Sequence, residues 1–411
     1  MSFNKDWEEV KMKDICTITS SKRIYRSEYK EKGIPFYRSK EIIEKFNNNE
    51  ISNNLFISKD RYNEISKKHD IPKKREILLT SVGTLGVPYL IKENEKFYFK
   101  DGNLTWFKDF EENILSEYVY YWLQSDLAKR QIKAITIGST QQALTIKSLK
   151  KLDIKLPNYK LQKVICDYIN SFDKKIENNN KMNKTLEEMA QTIYKNWFVD
   201  FEPFQDEEFV DSELGMIPEG WEVVPFENLF EFQKGKTPKN KSKENKDGYL
   251  KYLTISVLSG KKTLYGEPTE KNTLVNENDV IMVMDGSRSG KIFFGTSGIV
   301  ASTLAKLNII NDKISNGFIY LLAKYQEKEF MKNTTGSAVP HADKKYILNK
   351  KIAIPKDKNL LNNFNKSIND IRTKISLNRQ ENQSLKELRD SLLPKLMSGE
   401  IRVPIEENKE V

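Results

Sequence analysis

Cysteine and histidine are nearly absent from this chain. Among 411 residues there are two of each: Cys16 and Cys166, His69 and His341. Two cysteines far apart, with no CxxC pair, exclude a disulfide framework and a thiolate zinc site, and both read as core thiols. Two solitary histidines support neither a His-based metal centre nor a Ser/His/Asp triad. No apolar run reaches the roughly 18 residues that a membrane span requires. The opening Met1-Ser2-Phe3-Asn4-Lys5-Asp6 lacks a signal-peptide core. The expectation is a cytoplasmic protein that makes no membrane contact.

Catalytic signatures are missing as well. There is no GxGxxG, Walker loop, HExxH or Gly-x-Ser-x-Gly elbow. Gly286-Ser287-Arg288-Ser289-Gly290-Lys291 lacks the spacing of GxxxxGK[ST], and Glu202-Pro203-Phe204 is not the Asn/Asp-Pro-Pro-Tyr/Phe run of aminomethyltransferases acting on nucleic acid. A chain that catalyses nothing itself, with no cofactor and no metal of its own, is therefore expected.

What is present is aromatic and basic. At 411 residues the chain is long enough for two or three domains with proper cores, and 21 Phe, 18 Tyr and 5 Trp with a mean hydropathy of −0.63 make it too aromatic for disorder and too polar for a membrane protein. The net charge of +10 points towards a polyanion, most simply nucleic acid, although lysines are scattered throughout.

Leu161, Ile165, Ile169, Phe172, Ile176, Asn179, Asn183, Leu186, Met189, Ile193 and Trp197 fall three or four apart, which places them on one stripe of a helix. The pattern returns as Leu360, Phe364, Ile368, Ile371, Ile375, Asn378, Asn382, Leu385, Leu388, Leu392 and Leu396. A helix of about 37 residues is roughly 55 Å long, so the two stripes are expected to bury one another. Asn sits near the middle of both, and antiparallel packing sets Asn179 and Asn183 against Asn378 and Asn382. Such a layer penalises slipped registers, because slippage would leave an amide facing Ile or Leu. The other reading is that Asn178-Asn179-Asn180 breaks the first helix.

The duplication extends over the whole chain. Trp7-Glu8-Glu9-Val10 matches Trp221-Glu222-Val223-Val224, and Glu76 to Gly83 matches Asp279 to Gly286, a buried-looking strand entering a glycine turn. Tyr118 to Leu123 matches Phe318 to Ala323, a helix expected on the sheet. Gly138 to Pro157 then runs opposite Gly336 to Pro355 without a gap. The repeat unit is a β-rich domain of about 150 residues followed by one long helix, with a Pro/Gly-punctuated connector around Val199 to Pro218.

Basic and aromatic segments occupy matching places. Lys22, Arg23, Tyr25 and Arg26 precede Tyr37-Arg38-Ser39-Lys40. Lys234, Lys236 and Lys239 precede Lys251, Tyr252 and Thr254. Cations at this density suit phosphate contacts, and forked donors or amides suit base edges, which selects Arg38, Gln141, Gln142 and Arg288. The turn residues Ser81 and Thr84, and Ser287, Ser289 and Lys291, complete the set of candidate DNA contacts. Read one by one, these are also ordinary solvated loop residues.

Asn196-Trp197-Phe198-Val199-Asp200-Phe201-Glu202-Pro203-Phe204 with Gly215-x-Ile217-Pro218-x-Gly220-Trp221, and Leu392-Leu393-Pro394-Lys395-Leu396-Met397-Ser398-Gly399-Glu400-Ile401, resemble the central and C-terminal signatures of type I restriction-modification specificity subunits. The resemblance implies an α+β fold with an internal pseudo-twofold repeat. Two similar target-recognition domains, each a mixed β-rich globule with helices, would be separated by two long antiparallel helices forming a coiled coil. Residues 1–157 would be the first domain, 158–200 the central spacer helix, 201–356 the connector and second domain, 357–398 the C-terminal spacer helix and 399–411 a tail.

It further implies that the chain reads a bipartite double-stranded DNA target, one half-site per domain. For a dimeric reader the half-sites lie about 34 to 36 Å apart. Two methyltransferase (modification) subunits and restriction/translocase subunits would be its partners and would carry S-adenosylmethionine, ATP and Mg. The recognition portion of a fused restriction-methyltransferase and a protein-binding scaffold are the competing readings.

Overall fold

The computed structural model describes residues 7–47, 51, 55–138, 142–260, 262–336 and 338–403. The chain divides into two units, Met1–Asn178 with Glu381–Val411, and Asn179–Gln380. The first long helix runs Tyr159–Phe198 and the second Lys358–Ser398, 40 and 41 residues. Each unit thus owns one half of each helix.

In the first unit Glu8–Lys11 pairs antiparallel with Asp153–Leu156, tying the start of the domain to the strand that feeds the long helix. Four antiparallel strands lie in the order Thr17–Thr19, Leu104–Lys108, Ile77–Thr80, Pro88–Leu90. Ile77-Leu78-Leu79-Thr80 is buried at every position, which is why its sequence shows a continuous apolar run instead of alternation. A smaller sheet joins Phe56–Ile57, Ile34–Tyr37 and Tyr98–Phe99, the last two parallel.

The second unit repeats this topology. Trp221–Pro225 pairs with Lys351–Pro355, and Phe230–Lys234, Leu304–Ile309, Val280–Val283 and Ile292–Phe294 form the four-stranded sheet. Leu250–Leu253 again runs parallel to a neighbour, Gly298–Val300. The helix expected on the sheet is Ser116–Gln124 in one unit and Asn316–Tyr325 in the other. Ser315 caps the latter, its hydroxyl accepting from Phe318 N at 3.1 Å.

The long helices merge with these cores instead of standing apart from them. Ile165, Ile169, Leu393, Leu396 and Met397 join Tyr118, Trp122 and Phe107 in the first unit. Ala190, Tyr194, Phe198, Leu361, Phe364 and Ile368 join Phe318 and Trp221 in the second. Each fully buried side chain of this size stabilises by about 1.5–3 kcal/mol, so a helix half is anchored by its domain as well as by its twin.

The pairing is antiparallel within each unit. Asp173 meets Arg389 and Lys175 meets Glu381 in one, while Asn183 meets Asn378 and Phe198 meets Phe364 in the other. The first helix passes through Asn178-Asn179-Asn180 unbroken. Asn179, Asn378 and Asn382 are buried, and Asn378 Nδ2 donates to Asn183 Oδ1 at 2.8 Å.

The stripe differs from expectation in its second half. Met189 is 48% exposed and Ala190, Tyr194 and Phe198 point inward. Leu388 is 46% exposed and Leu393 and Met397 point inward, together with Leu396, which the stripe does include. A strict seven-residue count drifts about 20° per heptad on a 3.6-residue helix. Past the Asn layer the domain core, and no longer the partner helix alone, selects the buried face.

Candidate nucleic-acid interface

In each unit the fully buried strand of the four-stranded sheet runs into a glycine loop that is closed the same way. Gly86 N donates to Thr80 O and Gly290 N to Val283 O, both at 2.8 Å. Gly290, at φ +91°, must be glycine, because a Cβ there would lie 2.7 Å from Met331 N. A second segment is pinned beside each loop by an isolated bridge, Val82 with Ala143 in one unit and Asp285 with His341 in the other. The fold therefore brings exposed Thr84 near Gln142, and exposed Ser287 and half-buried Arg288 near His341. Arg288 Nη1 donates to Ser259 Oγ at 2.9 Å, which steadies the guanidinium.

His341 was passed over as a solitary histidine in the sequence. Its Nδ1 lies 2.8 Å from Asp285 Oδ1, on a half-exposed side chain. The signal that could have found it is its alignment with Ala143, beside Gln142, in the repeat.

The basic segments gather on surface clefts. Arg23, Tyr25 and Arg26 line one of about 440 Å³ with Lys100, and Arg23 Nε is paired with Asp101 Oδ2 at 2.9 Å. Lys22 lines another, of about 790 Å³, with Lys67, Lys68, His69 and Lys108. Lys67 and Lys68 come from the last turn of Lys59–Lys68, a helix the sequence reading did not single out. In the second unit Lys234, Lys236, Lys239 and Lys251 are exposed, and Lys251 shares a cleft of about 360 Å³ with Lys262.

Several sequence candidates are buried or already engaged by neighbouring groups. Tyr37 is buried and stacked on Phe97 at 4.8 Å, and burial pushes its phenol up to about 12. Tyr252 is buried with its hydroxyl 3.1 Å from Thr237 Oγ1. Both lie in the second half of a short strand whose neighbouring position, Phe36 or Leu253, is buried as well, so the strand is covered on both faces there. Ser81, against Thr105 Oγ1 at 2.6 Å, and Ser289, donating within its own loop to Gly286 O at 2.7 Å, are buried too. Thr254 caps the helix Ile255–Leu258 through Val257 N, and Ser39 Oγ donates to Asn103 O at 3.2 Å. Lys40 pairs with Glu44 at 3.8 Å, and Lys291 Nζ lies 5.6 Å from the Phe293 ring centroid. Gln141 lies outside the described residues.

Arg38 is the main correction among the base-reading candidates. Its Nη2 donates to Glu41 Oε1 at 2.8 Å and its backbone N to Glu41 Oε2 at 2.8 Å, and Glu41 is fully buried. The guanidinium is committed to neutralising a buried carboxylate. Arg38→Met is expected to lower the unfolding free energy by about 2–3 kcal/mol, because the carboxylate keeps its burial and loses its counter-charge. Urea unfolding measures this. An unchanged midpoint combined with lost DNA affinity would return Arg38 to the contact surface.

Among the described residues no group of three or more His, Cys, Asp or Glu is arranged to hold a metal ion, and no helix is long and apolar enough to cross a membrane. Cys16 and Cys166 are buried, and burial pushes both thiols up, Cys16 to about 12, which makes them poor nucleophiles.

The family described as the type I restriction modification DNA specificity domain matches twice, over residues 4–188 and 218–388. The chain is 31% identical to the MjaIX type I specificity subunit of Methanocaldococcus jannaschii, covering 97% of this chain and 94% of that one. It is 23% identical to the HindI specificity subunit of Haemophilus influenzae, covering 86% and 93%. The crystal structure of an S subunit from M. genitalium shares the fold at a TM-score of 0.54 and 18% identity, with 96% of both chains covered. Two matched copies of one domain, on a fold that is itself duplicated, place this chain in the type I restriction-modification DNA specificity family.

Proposed function

We propose that this chain is the DNA sequence-recognition subunit of a type I restriction-modification complex. Each domain reads one half of a bipartite, asymmetric target, and the paired long helices set the gap. The observation that carries this reading is that the same glycine loop, held in the same way, presents different side chains in the two units: Thr84 and Gln142 in one, Ser287, Arg288 and His341 in the other. Two similar frames with different donors suit two different half-sites, since base edges are told apart by donor and acceptor pattern. The flanking lysines and arginines supply phosphate contacts that hold the frame on the duplex without reading it.

The chain itself performs no chemistry in this reading. Two modification subunits bring S-adenosylmethionine and methylate adenine, and restriction/translocase subunits use ATP and Mg, in the cytoplasm. The amides of Asn179, Asn183, Asn378 and Asn382 hold the register of the helix pair, and with it the gap.

Coexpression with the modification subunit of its own system, followed by genome-wide mapping of methylated adenine, tests the proposal. The expected result is one bipartite motif with a fixed gap. A continuous palindrome, or no methylation, would overturn it.

A further inference from the structure

The repeat places Asp173 on the first long helix and Arg372 on the second at equivalent positions, with opposite charge. In the first unit the position is saturated. Arg389 Nη1 donates to Asp173 Oδ1 at 2.6 Å and the Tyr121 hydroxyl to Oδ2 at 3.0 Å. In the second unit the reversed charge has no such answer, because the residue equivalent to Arg389 is Ala190, which is buried.

Arg372 lies with its guanidinium carbon 3.6 Å from the Phe294 ring centroid, and Phe294 is stacked in turn on Tyr320 at 4.5 Å. Nη2 donates to Asn278 Oδ1 at 3.3 Å, while Nε is buried without a hydrogen-bond partner. Two turns along the same helix face, Arg379 is exposed, and its Nη1 donates to Gly295 O at 3.4 Å. Among the described residues neither arginine forms an ion pair.

Both arginines line a cleft of about 710 Å³ within the second unit. The carboxylates on its wall are already engaged with hydroxyls, Glu187 with Tyr320 and Glu277 with Ser376. Burial is the main cause that pushes the Arg372 guanidinium down to about 10; the Glu187 carboxylate opposes this in part, and the like charge of Arg379 adds to it. A cation that has lost water, and whose neighbouring carboxylate Glu187 is engaged by the Tyr320 hydroxyl without forming an ion pair with it, gains from an anion delivered to it. Paired guanidinium forks match the geometry of phosphate and carboxylate.

We propose that this cleft binds a small oxyanion, a phosphate monoester or a carboxylate, held between Arg372 and Arg379. The site exists in one half of the repeat only. The bound anion supplies in the second unit the counter-charge that Asp173 and Arg389 provide for each other in the first.

The test titrates the full-length chain, without DNA, with inorganic phosphate and follows heat and thermal unfolding. The expected result is one saturable site per chain, with a rise in unfolding temperature as it fills. Arg379→Gln alters only an exposed side chain and is expected to weaken binding at least tenfold, as is Arg372→Met. No saturable binding by the wild type, or wild-type affinity in either variant, overturns the inference. Acetate displacing phosphate assigns the site to carboxylates, and failure to displace it assigns the site to phosphate esters. Because the titration contains no DNA, its failure would leave the recognition reading standing.

Discussion

Four residues inserted into each long helix, between Asn178 and Asn179 and between Gln380 and Glu381, are expected to lengthen the gap between the two methylated half-sites by about two base pairs while leaving their bases unchanged. The insertion points are the boundaries of the two units, so neither domain core is cut and the Asn183–Asn378 hydrogen bond stays within its own unit. Four helical residues add about 6 Å, close to two base-pair rises of about 3.4 Å. They also close slightly more than one full turn, which keeps the buried stripes nearly in phase. Methylation mapping reads the result directly. An unchanged gap would remove the spacer role from the helices, and altered bases would show that the helices shape the readers themselves.

Phe198→Ala is expected to cost the second unit about 4 kcal/mol, whereas Met189→Ala should stay within about 0.5 kcal/mol. Phe198 is 4% exposed and touches five rings: Tyr194 at 5.5 Å, Phe318 at 4.9 Å, Phe364 at 4.8 Å, Trp221 at 5.7 Å and Trp197 at 6.3 Å. It joins the end of the first long helix to the second helix, to the strand Trp221–Pro225 and to the helix on the sheet. Removing its ring leaves a cavity walled by rigid aromatics that cannot collapse inward, and forfeits edge-to-face contacts as well as burial. Urea unfolding followed through tryptophan fluorescence compares the two variants. A Met189→Ala cost equal to that of Phe198→Ala would mean that the helix presents the face counted from the sequence, with Met189 inward.

That pair of residues marks how far periodicity carries. Counting by threes and fours found both long helices, their common pattern and the Asn positions, because those features repeat within a single element and its twin. It failed at Met189 and Leu388, where a helix leaves its partner and enters a domain, and the packing surface changes from a straight stripe to a globular core. The candidate interface divided the same way. The loops that carry Thr84, Ser287 and Arg288 were legible because glycine turns after buried strands are marked by composition. Tyr37 and Tyr252 are buried instead, since an aromatic in a short strand gives no local sign that both faces of the strand are covered. His341 gained meaning only when its loop was brought beside Asp285.

By itself the sequence determined the duplication, the two long amphipathic helices and the lack of any recognised catalytic motif, since each of these is written in neighbouring residues and their spacing. Tertiary structure alone decided which polar side chains reach solvent. It set Arg38 against buried Glu41, and it gave Asp173 a partner while leaving Arg372 over an aromatic ring beside an open cleft. Burial and counter-charge are properties of residues far apart in the chain, so a repeat that is nearly symmetric in pattern can still be asymmetric in electrostatics.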